Sequence, residues 1–186
     1  MVVKSQSSTI VAEPTELISW KDFKKEYLPR EDQFKYEWVR GVVEKTPRSM
    51  DYTQFHFVKK LNRFLYSLGI AGEFIVEGDT FYSGAHRRAD VAFFTDEQIE
   101  EAKHGTPPVP QFVIEVISKN DQKEKVNKKM QDYRAAEVEI VWQVFPKTKE
   151  VHVFRGKQMT ICSGDDVCSA EPVIPGFKLT TREIFE

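Results

Sequence analysis

Short runs of hydrophobic residues, separated by polar or glycine- and proline-containing segments, recur along the chain and predict a sheet-rich protein. The runs QFVIEVIS (111–118) and VEIVWQVF (138–145) are hydrophobic at nearly every position, which is typical of strands buried on both faces. YEWVRGVVE (36–44) has strand-forming residues on either side of Gly41, which suits a hairpin turn or a bulge. The other predicted strands are GEFIVEG (72–78), DTFYS (79–83), ADVAFF (89–94), VHVFRG (151–156) and KQMTICS (157–163).

Other segments place their hydrophobic residues at helical spacing or begin with capping residues. Ser19, with an acidic residue three positions later, predicts the N-cap of a short helix. Residues 49–68 predict a longer helix, residues 95–105 a short capped one, and residues 120–136 a lysine-rich one. A last short helix is expected near the end of the chain. The hydrophobic positions of the second helix are Phe57, Val58, Leu61, Phe64, Leu65 and Leu68.

The order of these elements predicts an α+β (α/β) fold with a mixed central β-sheet, a helix packed on each side, and additional antiparallel strands at the C-terminal side. Residues 1–13 are polar and aperiodic, so we interpret them as a flexible tail. A chain of 186 residues is long enough for one domain with a sizeable core, and residues 14–186 are predicted to form it.

Composition excludes several classes of function. Hydrophobic residues make up 40% and charged residues 30%, as in a globular protein, and a net charge of -2 means that any basic surface must be local. No hydrophobic run approaches the length of a membrane span, and the first residues do not resemble a signal peptide, so a cytoplasmic location is expected. The two cysteines, Cys162 and Cys168, are interpreted as reduced thiols.

Glu115 interrupts the hydrophobic run FVI-VI, and a buried carboxylate needs a proton, a cation or a metal ion nearby. Asp90 precedes the run VAFF. If the two strands are neighbours, their carboxylates can converge and either share a proton or bind a cation such as Mg²⁺. The alternative is that each acid is paired with a structural base.

Several of these segments occur together, in the same order, in one known family. YEWVRGVVE, a helix that carries His56, RRADVAFF, FVIEVIS, a helix with lysine and tyrosine, and VEIVWQV follow one another over about residues 16–186. In this respect the chain resembles the Uma2 family of restriction-endonuclease-like proteins. The resemblance implies a PD-(D/E)xK nuclease core in which Asp90, Glu115, Glu37 and the backbone carbonyl of Val116 bind Mg²⁺, with Mn²⁺ as a substitute.

The sequence departs from this motif at two positions. Ala89 replaces the proline before the aspartate, which removes loop rigidity but no metal ligand. Ile117 occupies the usual position of the catalytic lysine, and in Uma2-like sequences that lysine lies on the following helix, four residues before a tyrosine. Counting back from Tyr133 gives Lys129 as the catalytic lysine. The adjacent Lys128 differs by about 100° around the helix, so only one of the two is expected to face the acids.

Four further residues are candidates for substrate binding: His56, Arg87, Arg88 and Lys128. His56 is also consistent with an ordinary helix position, and both arginines could screen the acid cluster instead of contacting phosphate. We therefore expect a metal-dependent endonuclease with nucleic acid, DNA in particular, as its partner. The alternative functions are an inactive nuclease-like scaffold that binds nucleic acid or a protein, and a homodimer formed through the C-terminal strands.

Overall fold

The chain folds into five helices and twelve strands within the residues that the structure describes. The computed structural model describes residues 17–47, 52–82, 84–105, 108–118 and 121–186, so the tail predicted at 1–13 lies outside the described residues. The helices are α1 (Trp20–Glu26), α2 (Tyr52–Ser67), α3 (Asp96–Lys103), α4 (Lys123–Ala135) and α5 (Thr181–Phe185). The strands are β1 (Phe34–Val39), β2 (Val42–Pro47), β3 (Glu73–Val76), β4 (Asp79–Tyr82), β5 (Ala85–Arg88), β6 (Val91–Phe94), β7 (Phe112–Val116), β8 (Ile140–Phe145), β9 (Glu150–Arg155), β10 (Gln158–Ser163), β11 (Val167–Ser169) and β12 (Lys178–Thr180).

A six-stranded mixed sheet forms the centre of the protein, in the order β10-β9-β8-β7-β6-β3. β7 and β8 are parallel and lie in the middle, while all other neighbours are antiparallel. The two nearly all-hydrophobic strands thus occupy the positions that are covered on both faces. The predicted mixed sheet is confirmed, and so is the antiparallel addition of β9 and β10 at one edge.

The two faces of the central sheet pack against different helices. Phe112, Ile114 and Trp142 belong to a core that includes residues of α2, whereas Val113 packs in a second core with Tyr133 of α4. Side chains alternate along a strand, so Glu115 points to the same face as Val113. The face that carries Glu115 is therefore the one that α4 covers.

A second sheet, with the order β2-β1-β5-β4, was not expected from the sequence. β5 has the sequence AHRR, and its polar residues lack the hydrophobic alternation that would predict a strand. β1 and β2 form a hairpin whose turn residues Arg40 and Gly41 have positive φ values of 49° and 93°. Such a turn is preferred in two-residue hairpins. The register places Glu37 opposite Glu44, so both carboxylates project from one face.

Helix α1 covers the other face of this second sheet. Ser19 caps the helix as predicted, since its side chain accepts a hydrogen bond from the backbone N–H of Asp22. Trp20 stacks on Phe81 with ring centroids 4.6 Å apart, and also contacts Trp38 and His86. Because the aromatic residues fill this face, the charged residues that alternate with them face α4.

The C-terminal segment adds a small hairpin of β11 and β12 and ends in α5, as expected for the last helix. Strand β10 lies at an edge of the central sheet. Pairing of two copies through this region stays a prediction. Among the described helices, each is too short or too polar to cross a bilayer.

The core depends strongly on Phe177, which is fully buried and contacts the rings of Phe64 and Phe74 at 5.0 and 5.3 Å. The Phe177→Ala variant should lower the free energy of unfolding by about 3–5 kcal/mol, measured by urea denaturation, because a large cavity remains. Met159→Ala is the control: Met159 is 51% exposed, and its variant should stay within about 0.5 kcal/mol of the wild type. Equal effects of the two substitutions would contradict this description of the core.

Candidate active site

The second sheet, the ends of β6 and β7, and α4 surround a cavity of about 340 Å³. Six carboxylates line it, and three of them, Glu37, Asp90 and Glu115, bond the buried or half-buried lysines Lys35 and Lys129. The cavity also receives polar residues from the segment before α4. Acidic and basic groups therefore meet at one place in the fold.

Asp90 and Glu115 come together because β6 and β7 are neighbouring antiparallel strands. Val91 pairs with Ile114, and the same register continues to place Asp90 beside Glu115. Asp90 is fixed there by a hydrogen bond of 2.8 Å that its Oδ2 accepts from the backbone N–H of Val116. The structure thus brings together the two acids that the sequence predicts as neighbours.

Lys129 of α4 faces Glu115. Its Nζ lies 3.2 and 3.1 Å from the two carboxylate oxygens of Glu115 and 3.7 Å from Oε1 of Glu37. Tyr133, one helical turn further on, is fully buried, and its hydroxyl donates a hydrogen bond to the same carboxylate. The expected inward orientation of this lysine is therefore present, and the tyrosine orients a group of the site as well as packing.

Lys128, by contrast, points away from Glu115 and towards the hairpin of β1 and β2. Its Nζ bonds Oε1 of Glu44 at 2.9 Å, and its side chain is 41% exposed. The two adjacent lysines thus separate as the helical geometry requires.

Lys35 is a second cation in the site that the sequence analysis missed. It lies two residues before Glu37 in β1 and so shares its face. Its Nζ donates to Oδ1 of Asp90 at 3.0 Å and to the carbonyl oxygen of Arg88 at 3.2 Å. The alternation of β1 was the signal that could have identified it.

A buried arginine connects the second sheet to α4. The guanidinium of Arg87, which is fully buried, bonds Asp132 at 2.6 and 3.0 Å, Glu44 at 2.6 Å and Glu37 at 3.2 Å. Arg40 also reaches Asp132, at 3.3 Å. The sequence allows two roles for Arg87, a phosphate contact and a partner of the acids. Its bonds show that it is a partner of the acids, and its burial does not fit a phosphate contact at the mouth of the site.

The side chains of the two remaining substrate-binding candidates point away from the acid cluster. Arg88 pairs with Asp79 at 2.6 Å, while its backbone N–H donates to Glu37 at 2.8 Å. His56 is exposed on α2, which packs on the opposite face of the central sheet, and it is not among the residues that line the cavity. The structure does not bring His56 to the site.

Burial and neighbouring charges set the protonation of these groups. Burial by itself would raise the pKa of Glu37, but the ammonium groups of Lys129 and Lys35 and the guanidinium of Arg87 lower it to about 2. Burial raises the pKa of Glu115, and Asp90 adds to the effect, which Lys129 offsets only in part. Burial opposes the charge of Lys129, yet Glu115, Glu37 and Asp90 outweigh it and raise the pKa of this lysine. Lys129 is therefore a fixed positive charge.

The carboxylate oxygens of Asp90 and Glu115, with the carbonyl of Val116, are the hard donors that Mg²⁺ prefers, and this ion commonly takes one or two carboxylates and several waters. Within the described part of the chain, however, no three His, Cys, Asp or Glu side chains lie together as a metal-binding group. The three acids Asp90, Glu115 and Glu37 do not form such a group, and the role of Glu37 as a third metal ligand stays a prediction. The residues present fit a two-carboxylate site.

Removing the buried arginine should be costly. Arg87→Met leaves Glu37, Glu44 and Asp132 without a shared partner, so it should lower the free energy of unfolding by about 3–5 kcal/mol in urea denaturation. Arg88→Met is the matched control, since its partner Asp79 is 52% exposed, and it should cost about 1 kcal/mol or less. A similar loss in both variants would argue against the connecting role of Arg87.

The low pKa of Glu37, about 2 compared with its usual 4.5, predicts a pH dependence of stability. A carboxyl group with a depressed folded-state pKa contributes stability above its unfolded pKa and loses it as the pH falls towards the folded value. The difference in unfolding free energy between wild type and Glu37→Gln should therefore shrink by up to about 3 kcal/mol between pH 5 and pH 2. Glu26→Gln, at an exposed position of α1, should follow the wild-type profile, and a pH-independent difference for Glu37→Gln would contradict the assignment.

Comparisons with known proteins agree with this architecture. A search of curated proteins finds no match. Among solved structures, the chain is similar to a protein from Anabaena variabilis that is described as "a putative nuclease belonging to DUF820". The two share 18% sequence identity with a TM-score of 0.75, over 90% of this chain and 97% of the other. At this identity the similarity shows the fold.

The sequence matches one family model. The family is Uma2, described as "Putative restriction endonuclease", and the match extends over residues 20–182. That range contains Lys35, Glu37, Asp90, Glu115 and Lys129, the five charged groups described above. The chain belongs to the Uma2 family.

Proposed function

We propose that this protein is a Mg²⁺-dependent endonuclease that hydrolyses phosphodiester bonds in nucleic acid, with DNA as the expected substrate. The observation that carries the proposal is the position of Lys129, 3.1 and 3.2 Å from the two oxygens of Glu115 in the cavity that Asp90 also lines. Two acids and a lysine are the minimal set that the PD-(D/E)xK resemblance requires. Family membership and fold support the same class of activity.

Asp90 and Glu115, with the carbonyl of Val116, are the residues that would hold the metal ion. A bound Mg²⁺ or Mn²⁺ supplies a more acidic water and neutralises charge on the phosphate. The protein itself keeps both carboxylates in place through fixed bonds. The N–H of Val116 holds Asp90, and the hydroxyl of Tyr133 holds Glu115.

Lys129 would position the attacking water and stabilise the negative charge that develops on the phosphorus oxygens. Its ammonium is held by Glu115 and Glu37, so no side-chain reorganisation is needed to present the charge. The neighbouring acids also raise its pKa, which keeps it protonated during the reaction. This role is the one that Ile117 cannot supply.

The cavity opens next to basic and polar residues that suit a phosphate backbone. Lys125 is exposed and lines the cavity from the first turns of α4, and Gln122 lines it from the position before the helix. Such contacts are independent of base sequence and weaken with salt. Of the four predicted substrate-binding residues, Lys128 and Arg88 stay predictions, while Arg87 and His56 lie in positions that favour other roles.

The proposal predicts that wild-type protein converts supercoiled plasmid to nicked or linear DNA in Mg²⁺ or Mn²⁺. Asp90→Asn and Lys129→Met should each lower the rate by at least about a hundredfold, because each removes a group with a direct role in the reaction. Lys123→Met is the matched control, since Lys123 is exposed at the start of the same helix and does not line the cavity. It should keep the wild-type rate, and equal cleavage by Asp90→Asn would rule out the proposed site.

The alternative is a nuclease-like scaffold that binds nucleic acid or a protein without cleaving it. One observation favours it: Asp90, Glu115 and Glu37, the three predicted metal ligands with side-chain carboxylates, already bond the basic side chains of Lys35, Lys129 and Arg87. Salt-dependent DNA binding with no cleavage in any divalent metal would support the scaffold. Cleavage that disappears in Asp90→Asn would exclude it.

A further inference from the structure

Lys35 carries a charge whose placement the proposed reaction does not explain. Its side chain is only 7% exposed, yet it lines the cavity. The ammonium is held by Oδ1 of Asp90 at 3.0 Å and by the carbonyl oxygen of Arg88 at 3.2 Å. A lysine buried this deeply is kept charged only by such partners. It is therefore a fixed cation next to a predicted metal ligand.

Lys35 and Lys129 approach the same carboxylates from two sides. Lys35 projects from β1 towards Asp90, and Lys129 projects from α4 towards Glu115. Glu37 is also paired with Arg87, so Asp90 and Glu115 are the two carboxylates left to hold a cation, and each of them already bonds one lysine. This partial neutralisation favours one divalent cation over two.

The number of available ligands leads to the same result. Two-metal sites hold their ions about 4 Å apart and share carboxylates between them. In the described residues no group of three acidic or other metal-binding side chains is assembled. Oδ1 of Asp90 accepts a hydrogen bond from Lys35 and Oδ2 accepts one from the N–H of Val116, so neither oxygen is free to bridge two ions without competition.

We propose that the ammonium of Lys35 takes the place of a second metal ion beside Asp90, so that the cavity binds a single divalent cation. This inference rests on the proposed function only in assuming that the cavity binds metal. The reaction would then use one bound metal ion together with the ammonium of Lys35. If so, the charge of Lys35 determines how many metal ions the cavity binds.

The test is a Mn²⁺ titration of the full chain, in which electron paramagnetic resonance measures free Mn²⁺ and so the number of ions bound. Wild type should bind one Mn²⁺ per chain, and Lys35→Met should bind two, because the competing charge is gone and Oδ1 of Asp90 is released. Lys35→Gln removes the charge but keeps a hydrogen-bond donor, and should also bind two. Circular dichroism checks that each variant is folded.

Lys45→Met is the matched control. Lys45 lines the same cavity from β2, but its Nζ lies over the ring of Phe34, 3.7 Å from the centroid, and its variant should bind one ion. Two ions or none in the wild type, or one ion in both Lys35 variants, would overturn the inference. The number of bound Mn²⁺ ions is measured independently of cleavage. A protein that does not cleave DNA but binds one ion as wild type and two in the Lys35 variants would refute only the nuclease. A protein that cleaves DNA but binds one ion in all variants would refute only the role of Lys35.

Discussion

The charge cluster between the second sheet and α4 is the constraint on which the rest of the structure depends. Arg87 is fully buried and binds Asp132 of α4 together with Glu37 and Glu44 of the hairpin. A buried charge without partners is strongly unfavourable, so these four groups fix the distance and rotation of α4 relative to β1. Lys129 and Tyr133 lie on either side of Asp132 in the sequence, and the same bonds therefore hold them against Glu115.

This arrangement explains how a nuclease-like site can lack a lysine on the strand of its second acid. Ile117 donates its backbone N–H to Val144 and continues the sheet, while the charge comes from α4. The proposed chemistry would need an ammonium near the acids, whichever element carries it. Lys35 adds a second ammonium from β1, which offsets part of the negative charge of Asp90 beside it.

Much of the fold was predictable because its signals are local. The hydrophobic runs identified β7 and β8 as the buried centre of the sheet, and Ser19 marked the start of α1 through its own cap. β5 was not predicted because its sequence AHRR contains the fully buried Arg87, which is stabilised by acids that are distant in the sequence. The second sheet depends on that strand, so its existence could not be inferred either.

The sequence by itself determined the core strands, since hydrophobic periodicity is a property of short segments, and it made Asp90 and Glu115 neighbours only if their strands paired. The choice of Lys129 over Lys128 came from the resemblance to the Uma2 family, in which the lysine lies four residues before a tyrosine. The alternation of β1 even contained the signal for Lys35. Only the tertiary structure decided that Arg87 is buried, that Asp132 is its partner 45 residues away, and that His56 lies on the far side of the sheet. These facts depend on how two sheets and a helix pack, and no local pattern encodes a contact between elements that are distant in the chain.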